Sequence, residues 1–309
     1  MVAGMSTYAV PAVKDVRPVT SGNARILIHS HNDYAQKRPF WGAYEAGADS
    51  IEADVFLVDG KLLVAHSRRD LKPENTLRRL YLEPLREVFK KNGGRARANG
   101  KPLQLLVDLK NGKPAFDALL ALIERDGFRD CFDIGKNPAA ARLTITGDNS
   151  GIDFSACPAF VFFDVPSNRK LDDGQYKRVW LVSDYAGIYT KWRSGEMQKE
   201  DKRKIRDAAA QAHAKGVLFR LWGFPDHPDA WRLSLELGLD FINTDRPAVA
   251  SKALAAFAAP APAKARANVV RDWENIDVNS FNRMPAATYA MPLVNENAAL
   301  TDALEFETP

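Results

Sequence analysis

Eight times between Arg25 and Asn243, a short run rich in Val, Ile, Leu or Phe is followed by polar or helical sequence. Alternation of this kind is the pattern of βα units, in which parallel strands are joined by helical crossovers. The runs are Arg25–His29, Ser50–Val55, Leu103–Asp108, Arg142–Thr146, Phe160–Asp164, Val179–Ser183, Val217–Trp222 and Asp240–Asn243. Leu105-Leu106-Val107 and Phe160-Val161-Phe162-Phe163 lack polar alternation, as expected of strands covered on both faces. Leu80–Lys91 and Phe116–Asp126 carry apolar residues at three- and four-residue spacing, and Asp201–Lys215 reads as an Ala-rich polar helix. These units predict an α/β chain folded as a (β/α)8 TIM-type barrel. A doubly wound open sheet with added strands is the rival arrangement. Asp59-Gly60, set between apolar runs in Phe56–Ala65, predicts a β-hairpin that lengthens the second strand and returns His66 towards its end.

The barrel is expected over residues 24–254. Residues 1–23 carry Pro, Ser, Gly and Thr without periodicity and read as a flexible leader. Ala255–Ala267 is an Ala/Pro/Lys run, so 255–309 is expected to be a linker and C-terminal tail. A chain of 309 residues, 46% hydrophobic, is long enough to bury one such barrel with extensions. The net charge of +4 comes from scattered Lys and Arg, which argues against nucleic acid and suits an anionic substrate. No apolar run approaches the ~20 residues that span a bilayer, so no transmembrane segment is expected, while peripheral membrane contact stays open. Location also stays open, with a secreted or periplasmic home allowed were a signal peptide removed. Cys131 and Cys157 are too few for a disulfide scaffold, and a single bridge between them is left undecided. Oligomeric state is not legible.

Polar residues gather at the ends of the first three runs, where a parallel barrel places its active face. His29 and His31 lie two apart and share a face if both are extended. Glu52 and Asp54 form another i, i+2 pair in an apolar strand, and two buried carboxylates are costly unless a cation neutralises them. An oxygen-ligand ion, Mg2+ or Ca2+, is the natural partner. Asp108 could complete that site, and Lys110 could neutralise a phosphate oxygen. His66, delivered by the hairpin, gives with His31 the two imidazoles that acid–base cleavage requires. The bland readings are an edge-strand pair at Glu52 and Asp54, a salt bridge at Asp108 and Lys110, and structural histidines. Late residues Arg220, Trp222 and Asp245 could shape a pocket, while His213 reads as surface.

Taken together, these motifs resemble the phosphatidylinositol phospholipase C-like phosphodiesterases, which include glycerophosphodiester phosphodiesterases and sicariid spider phospholipase D toxins. Gly47–Val55 resembles their metal motif, Val64-Ala65-His66 the segment of their second histidine, and Val107–Gly112 the toxin motif bearing Asp and Lys. His29–Tyr34, the Thr76–Leu85 stretch and Ile242-Asn243-Thr244-Asp245 are closer still to the branch of the yeast altered-inheritance-of-mitochondria protein. The resemblance covers about residues 25–250. It implies a divalent ion on Glu52, Asp54 and Asp108, an acid–base pair of His31 and His66, and phosphate on Lys110. His29 competes with His31 for the first histidine's role.

Two departures matter. Asn32-Asp33 follows the histidine where glycerophosphodiesterases have Arg-Gly, and Pro73-Glu74-Asn75-Thr76 falls after the metal motif rather than before it. A phosphate contact is therefore expected from Lys110 or Arg220, and glycerol specificity is not implied. The expected activity is cleavage of a small-molecule or lipid phosphodiester, with a cyclic or an open product. A barrel that only binds anionic phosphoesters, and a phosphodiesterase acting on a non-lipid or synthetic phosphoester, are the alternatives.

Overall fold

β1 (Leu27–Ser30) pairs in parallel with β2 (Ser50–Val58) on one side and β9 (Phe241–Thr244) on the other, and that double pairing closes the sheet. The computed structural model describes residues 26–132 and 135–258. Within it, β4 (Gln104–Leu109), β5 (Arg142–Gly147), β6 (Val161–Val165), β7 (Val179–Tyr185) and β8 (Leu218–Trp222) complete a ring of eight parallel strands. β3 (Lys61–Val64) is the antiparallel return of the hairpin. The TIM-type barrel is borne out and the open sheet excluded, because no strand of the ring keeps a free edge. All eight apolar runs became strands of the ring.

The helices between them are α1 (Trp41–Glu45), α2 (Glu83–Lys91), α3 (Gly112–Arg125), α4 (Asp173–Tyr176), α5 (Lys199–Ala214), α6 (Pro228–Leu237) and α7 (Pro247–Ala258). α2 starts later than its periodicity suggests, because Arg78–Leu82 forms a wider π turn before it. Compact units divide between Ala248 and Val249. In the second unit, residues 249–258 continue α7, past the boundary at 254, because Ala255 and Ala256 still favour helix. The leader 1–23 and the rest of the stretch read as linker and tail lie outside the described residues.

Asp59 and Gly60 both have positive φ, 47° and 74°, as a two-residue hairpin turn of primed type requires. The first six residues of β2 pair with β4, and the last four pair with β3. Thr76 bridges Leu63, and the Asn75 carbonyl accepts from the Val64 N–H, so the Pro-Glu-Asn-Thr segment covers the hairpin's outer edge.

The barrel interior is layered. Leu106, Leu181, Leu218 and Phe241 form an apolar floor, with Leu27 and Trp180 packed against it. Strand parity then brings polar residues inward above that floor, since side chains two apart share a face. Cys131 and Cys157 are free thiols, which settles the open question of a bridge.

Candidate active site

The loop after β1 folds around Asp33. Its carboxylate accepts from Ser30 Oγ (2.9 Å) and from the Phe40 N–H (2.6 Å). Burial pushes the Asp33 pKa up to about 6. Asn32 takes the left-handed conformation (φ 47°, ψ 38°), a region that Asn tolerates better than most residues. The resulting turn aims the Asn32 N–H at Glu52 Oε2 (3.1 Å) and brings Tyr34 over the end of β2.

Glu52, Asp54 and Asp108 each offer a carboxylate oxygen within 4.8 Å of the others. Asp54 and Asp108 are register partners, and Glu52 faces inward one step deeper. Burial, then the charges of Glu52 and Asp108, raises the Asp54 pKa to about 6. Burial also raises that of Asp108. Burial alone would raise Glu52 too, but His29, His31 and Arg220 hold it well below the usual carboxylate range. Lys110 Nζ stands 3.0 Å from both Asp54 Oδ2 and Asp108 Oδ1. Burial opposes its charge, yet the two carboxylates outweigh that and raise its pKa.

Three carboxylates converge on one ammonium in a largely buried site, and the Arg220 charge deeper in the barrel is shared with Asp164. A divalent ion fits this donor set, because the oxygens are hard, convergent and already held in place. Gly147, at the end of β5, makes room for the Asp108 carboxylate. A Cβ there would collide with Asp108 Oδ1 and sit 2.6 Å from the Leu109 carbonyl oxygen.

The two candidate first histidines differ in depth. His29 has no exposed surface; burial and Arg220 lower its pKa to about 4, so its ring is neutral. Its Nδ1 bonds Ser50 Oγ (2.8 Å), and its Nε2 lies 3.5 Å from Glu52 Oε2. His31 is partly open. Its Nδ1 pairs with Asp245 Oδ1 at 2.7 Å, and its Nε2 lies 3.9 Å from Glu52 Oε2. Burial works against the charged ring, but Asp245 and Glu52 prevail and its pKa is raised. His66, at the hairpin's exit, is exposed, with Nδ1 3.0 Å from Tyr34 Oη and 3.8 Å from Asp54 Oδ2.

Arg220, expected at the phosphate or in the pocket, lies deep in the barrel. It is 3% exposed, and its guanidinium donates to Ser183 Oγ (3.0 Å), Asn243 Oδ1 (2.8 Å) and Asp164 Oδ2 (3.2 Å). The inward face of β8 carries it into the barrel beneath Glu52. Trp222, two residues on, emerges at the mouth and packs on Tyr185 with ring centroids 4.6 Å apart. His213, read as surface, is partly buried: its side chain is 17% exposed, and its Nε2 bonds Asp240 Oδ2 at 2.8 Å. Sequence reasoning noted Asn32 and Tyr34 only as members of the His29–Tyr34 motif, without a role for either, and missed Gly147. For Gly147 the one available signal was its place just after a predicted strand end.

Part of the chain that builds the site is similar to a known phosphodiesterase domain. The AIM6-like phosphodiesterase domain matches residues 16–129, the stretch holding β1 to β4 and every candidate residue from His29 to Lys110. The resemblance seen in the motifs is thus borne out at the level of that domain. More particularly, the chain is similar to altered inheritance of mitochondria protein 6 of Eremothecium gossypii, 26% identical over 260 residues, which are 71% of this chain and 67% of that protein. It is also similar to the homolog from Arthroderma benhamiae, 27% identical over 278 residues, 78% of this chain and 88% of that one. Among solved structures it is similar to a glycerophosphodiester phosphodiesterase from Parabacteroides distasonis. There the identity is 16% and the TM-score 0.49, across 77% of this chain and 100% of that chain.

Proposed function

We propose that this chain cleaves a phosphodiester with the aid of Mg2+ or Ca2+, using His31 and His66 for proton transfer. The observation that carries the reading is the pairing of imidazole with carboxylate at the barrel mouth. His31 Nε2 lies against Glu52 and His66 Nδ1 against Asp54, so an accessible ring flanks each side of the carboxylate group. Mere anion binding has no need of two proton carriers.

Glu52, Asp54 and Asp108 would hold the ion, which when bound supplies Lewis-acid polarisation of a phosphoryl oxygen. One histidine takes the proton of the attacking hydroxyl, from water or from a neighbouring group of the substrate. The other returns a proton to the departing alcohol oxygen. Asp245 orients His31 by its Nδ1, which leaves Nε2 for this work. Lys110, at the rim of the triad, offsets charge growing on the phosphoryl oxygens. His29 stays neutral beneath Glu52, and we give it a supporting role. Arg220 acts on the site through its charge from below.

A phospholipid substrate is favoured by one further observation. Tyr185 and Trp222, two exposed large aromatic side chains, pack on each other at the ends of β7 and β8. Activity on micelles rather than on soluble diesters would support that choice.

The test is a panel of glycerophosphodiesters, lysophospholipids and bis(p-nitrophenyl) phosphate, assayed with and without chelator and followed by phosphorus NMR. We expect ion-dependent cleavage, with cyclic and open products resolved by their shifts. Tight ion binding with every diester left intact would favour the anion-binding barrel instead.

A further inference from the structure

Tyr34 is drawn into the site by the Asn32 turn, and its hydroxyl meets three polar atoms there. Asn32 Oδ1 lies at 2.5 Å, Asp54 Oδ2 at 3.0 Å and His66 Nδ1 at 3.0 Å. A tyrosine hydroxyl keeps its proton near neutral pH. It has one proton to give and lone pairs to receive others.

An ionised carboxylate only accepts, and so does an amide oxygen. Were the phenol proton turned towards His66, two acceptor oxygens would face the phenol's lone pairs with no hydrogen between them. Of the three partners as placed, only His66 Nδ1 can arrive with a proton. The arrangement that leaves only one acceptor oxygen without a hydrogen, rather than two, has His66 Nδ1–H donating to Tyr34 Oη, and Tyr34 donating to Asp54 or Asn32.

We infer that Tyr34 is the positioning residue of His66: it holds the ring by Nδ1–H and leaves Nε2 as the lone pair of the neutral imidazole. His66 needs such an anchor. Its side chain is 73% exposed, and among the described residues Tyr34 is its one hydrogen-bonding partner. The two ring planes lie 28° apart with centroids 6.5 Å apart. An unanchored ring at a hairpin exit would exchange rotamers and tautomers, whereas proton transfer needs one nitrogen in one place. Tyr34 also links this histidine to Asp54, so the ring's orientation is tied to the carboxylate group. The catalytic consequence rests on the phosphodiesterase reading; the tautomer does not.

The test joins two readouts on the full chain. In 15N-histidine-labelled protein, with His66 assigned by comparison with His66→Gln, NMR reports which ring nitrogen carries the proton. We expect Nδ1–H in the parent protein and a shift towards Nε2–H in Tyr34→Phe, which keeps the ring and removes only the hydroxyl. On bis(p-nitrophenyl) phosphate with Mg2+ or Ca2+, Tyr34→Phe should lower kcat about 10- to 100-fold, with KM held within about twofold. In the His66→Gln background, Tyr34→Phe should cost nothing more, since its effect passes through the missing ring.

An Nε2–H tautomer in the parent protein would overturn the inference. So would an unchanged tautomer in Tyr34→Phe, or losses that multiply in the double variant. If the tautomer shifts as expected while no diester is cut, the positioning role stands and the phosphodiesterase reading falls. If diesters are cut while the tautomer does not move, the phosphodiesterase reading stands and the positioning role falls.

Discussion

Asp54 and Asp108 are register partners across the β2–β4 ladder, and Lys110 Nζ stands 3.0 Å from a carboxylate oxygen of each. Parallel pairing therefore sends two like charges out of the sheet side by side, with Glu52 just below, and one ammonium offsets only part of them. We expect added Mg2+ or Ca2+ to stabilise the fold by mass action, by about 2.7 kcal/mol at a free concentration of one hundred times Kd. Thermal unfolding and isothermal titration would show it. In Asp108→Asn both the shift in Tm and the binding heat should vanish. A shift that survived in that variant would place the ion elsewhere.

The strands and the triad were legible because both depend on short-range pattern. Apolar runs report burial on two faces, and an i, i+2 pair stays on one face whatever the fold. Depth was not legible. His29 and Arg220 carry the same inward parity as His31 and Trp222, but a barrel interior is layered, and only the strand stagger says which layer lies below the mouth. Contacts between distant segments were hidden too. Asp245 reaches His31 from the opposite end of the chain because β9 pairs with β1. Tyr34 depended on the left-handed turn at Asn32, which no periodicity announces.

Gly147 is a case where backbone and site demand the same residue. Its φ is 77°, and an added Cβ would run into Asp108 Oδ1 and the Leu109 carbonyl. Left-handed backbone alone costs a residue with a Cβ about 1–2 kcal/mol. Gly147→Ala should therefore lose at least about 2 kcal/mol in urea unfolding once the collision is added. It should also weaken ion binding, because Asp108 must swing away. A variant with full stability and full affinity would show that β5 can move aside freely.

The His31–Asp245 pair should behave as a unit. Asp245→Asn removes the charge that favours the imidazolium, so His31 should titrate lower by NMR than in the parent protein. Turnover should fall by about tenfold or more, with KM little changed. His31→Ala should cost about 100-fold or more in kcat. If His31→Ala kept its turnover, His29 would have to be reconsidered despite its burial.

Away from the site, His213 and Asp240 set a pH dependence. The hydrogen bond that His213 donates to Asp240 raises the His213 pKa in the fold, against the opposing effect of burial. The folded state then binds a proton more tightly than the unfolded one. Its stabilising contribution is complete below the unfolded value near 6.5 and is lost as pH rises through the higher folded value. Urea midpoints measured from pH 5.5 upward should decline across that window, and the decline should be shallower in His213→Gln. Equal slopes would mean that Asp240 is satisfied by the Phe219 N–H alone, which it accepts at 2.7 Å.

At the opposite rim, Tyr185 and Trp222 are register partners on β7 and β8, and both are more than two-fifths exposed. Gly223, at φ 67°, lets the chain pass close beneath the tyrosine; a Cβ there would lie 2.6 Å from Tyr185 Cε2. The tyrosine is thus seated by its neighbours, while Trp222 presents an apolar face towards the mouth. Trp222→Ala should raise KM for diesters with long acyl or aryl groups and leave kcat nearly unchanged, the signature of uniform binding lost rather than transition-state stabilisation. For a short-chain diester, KM should scarcely move. An equal loss on both substrates, or a fall in kcat, would mean that the indole supports the catalytic geometry itself rather than gripping the substrate's apolar portion.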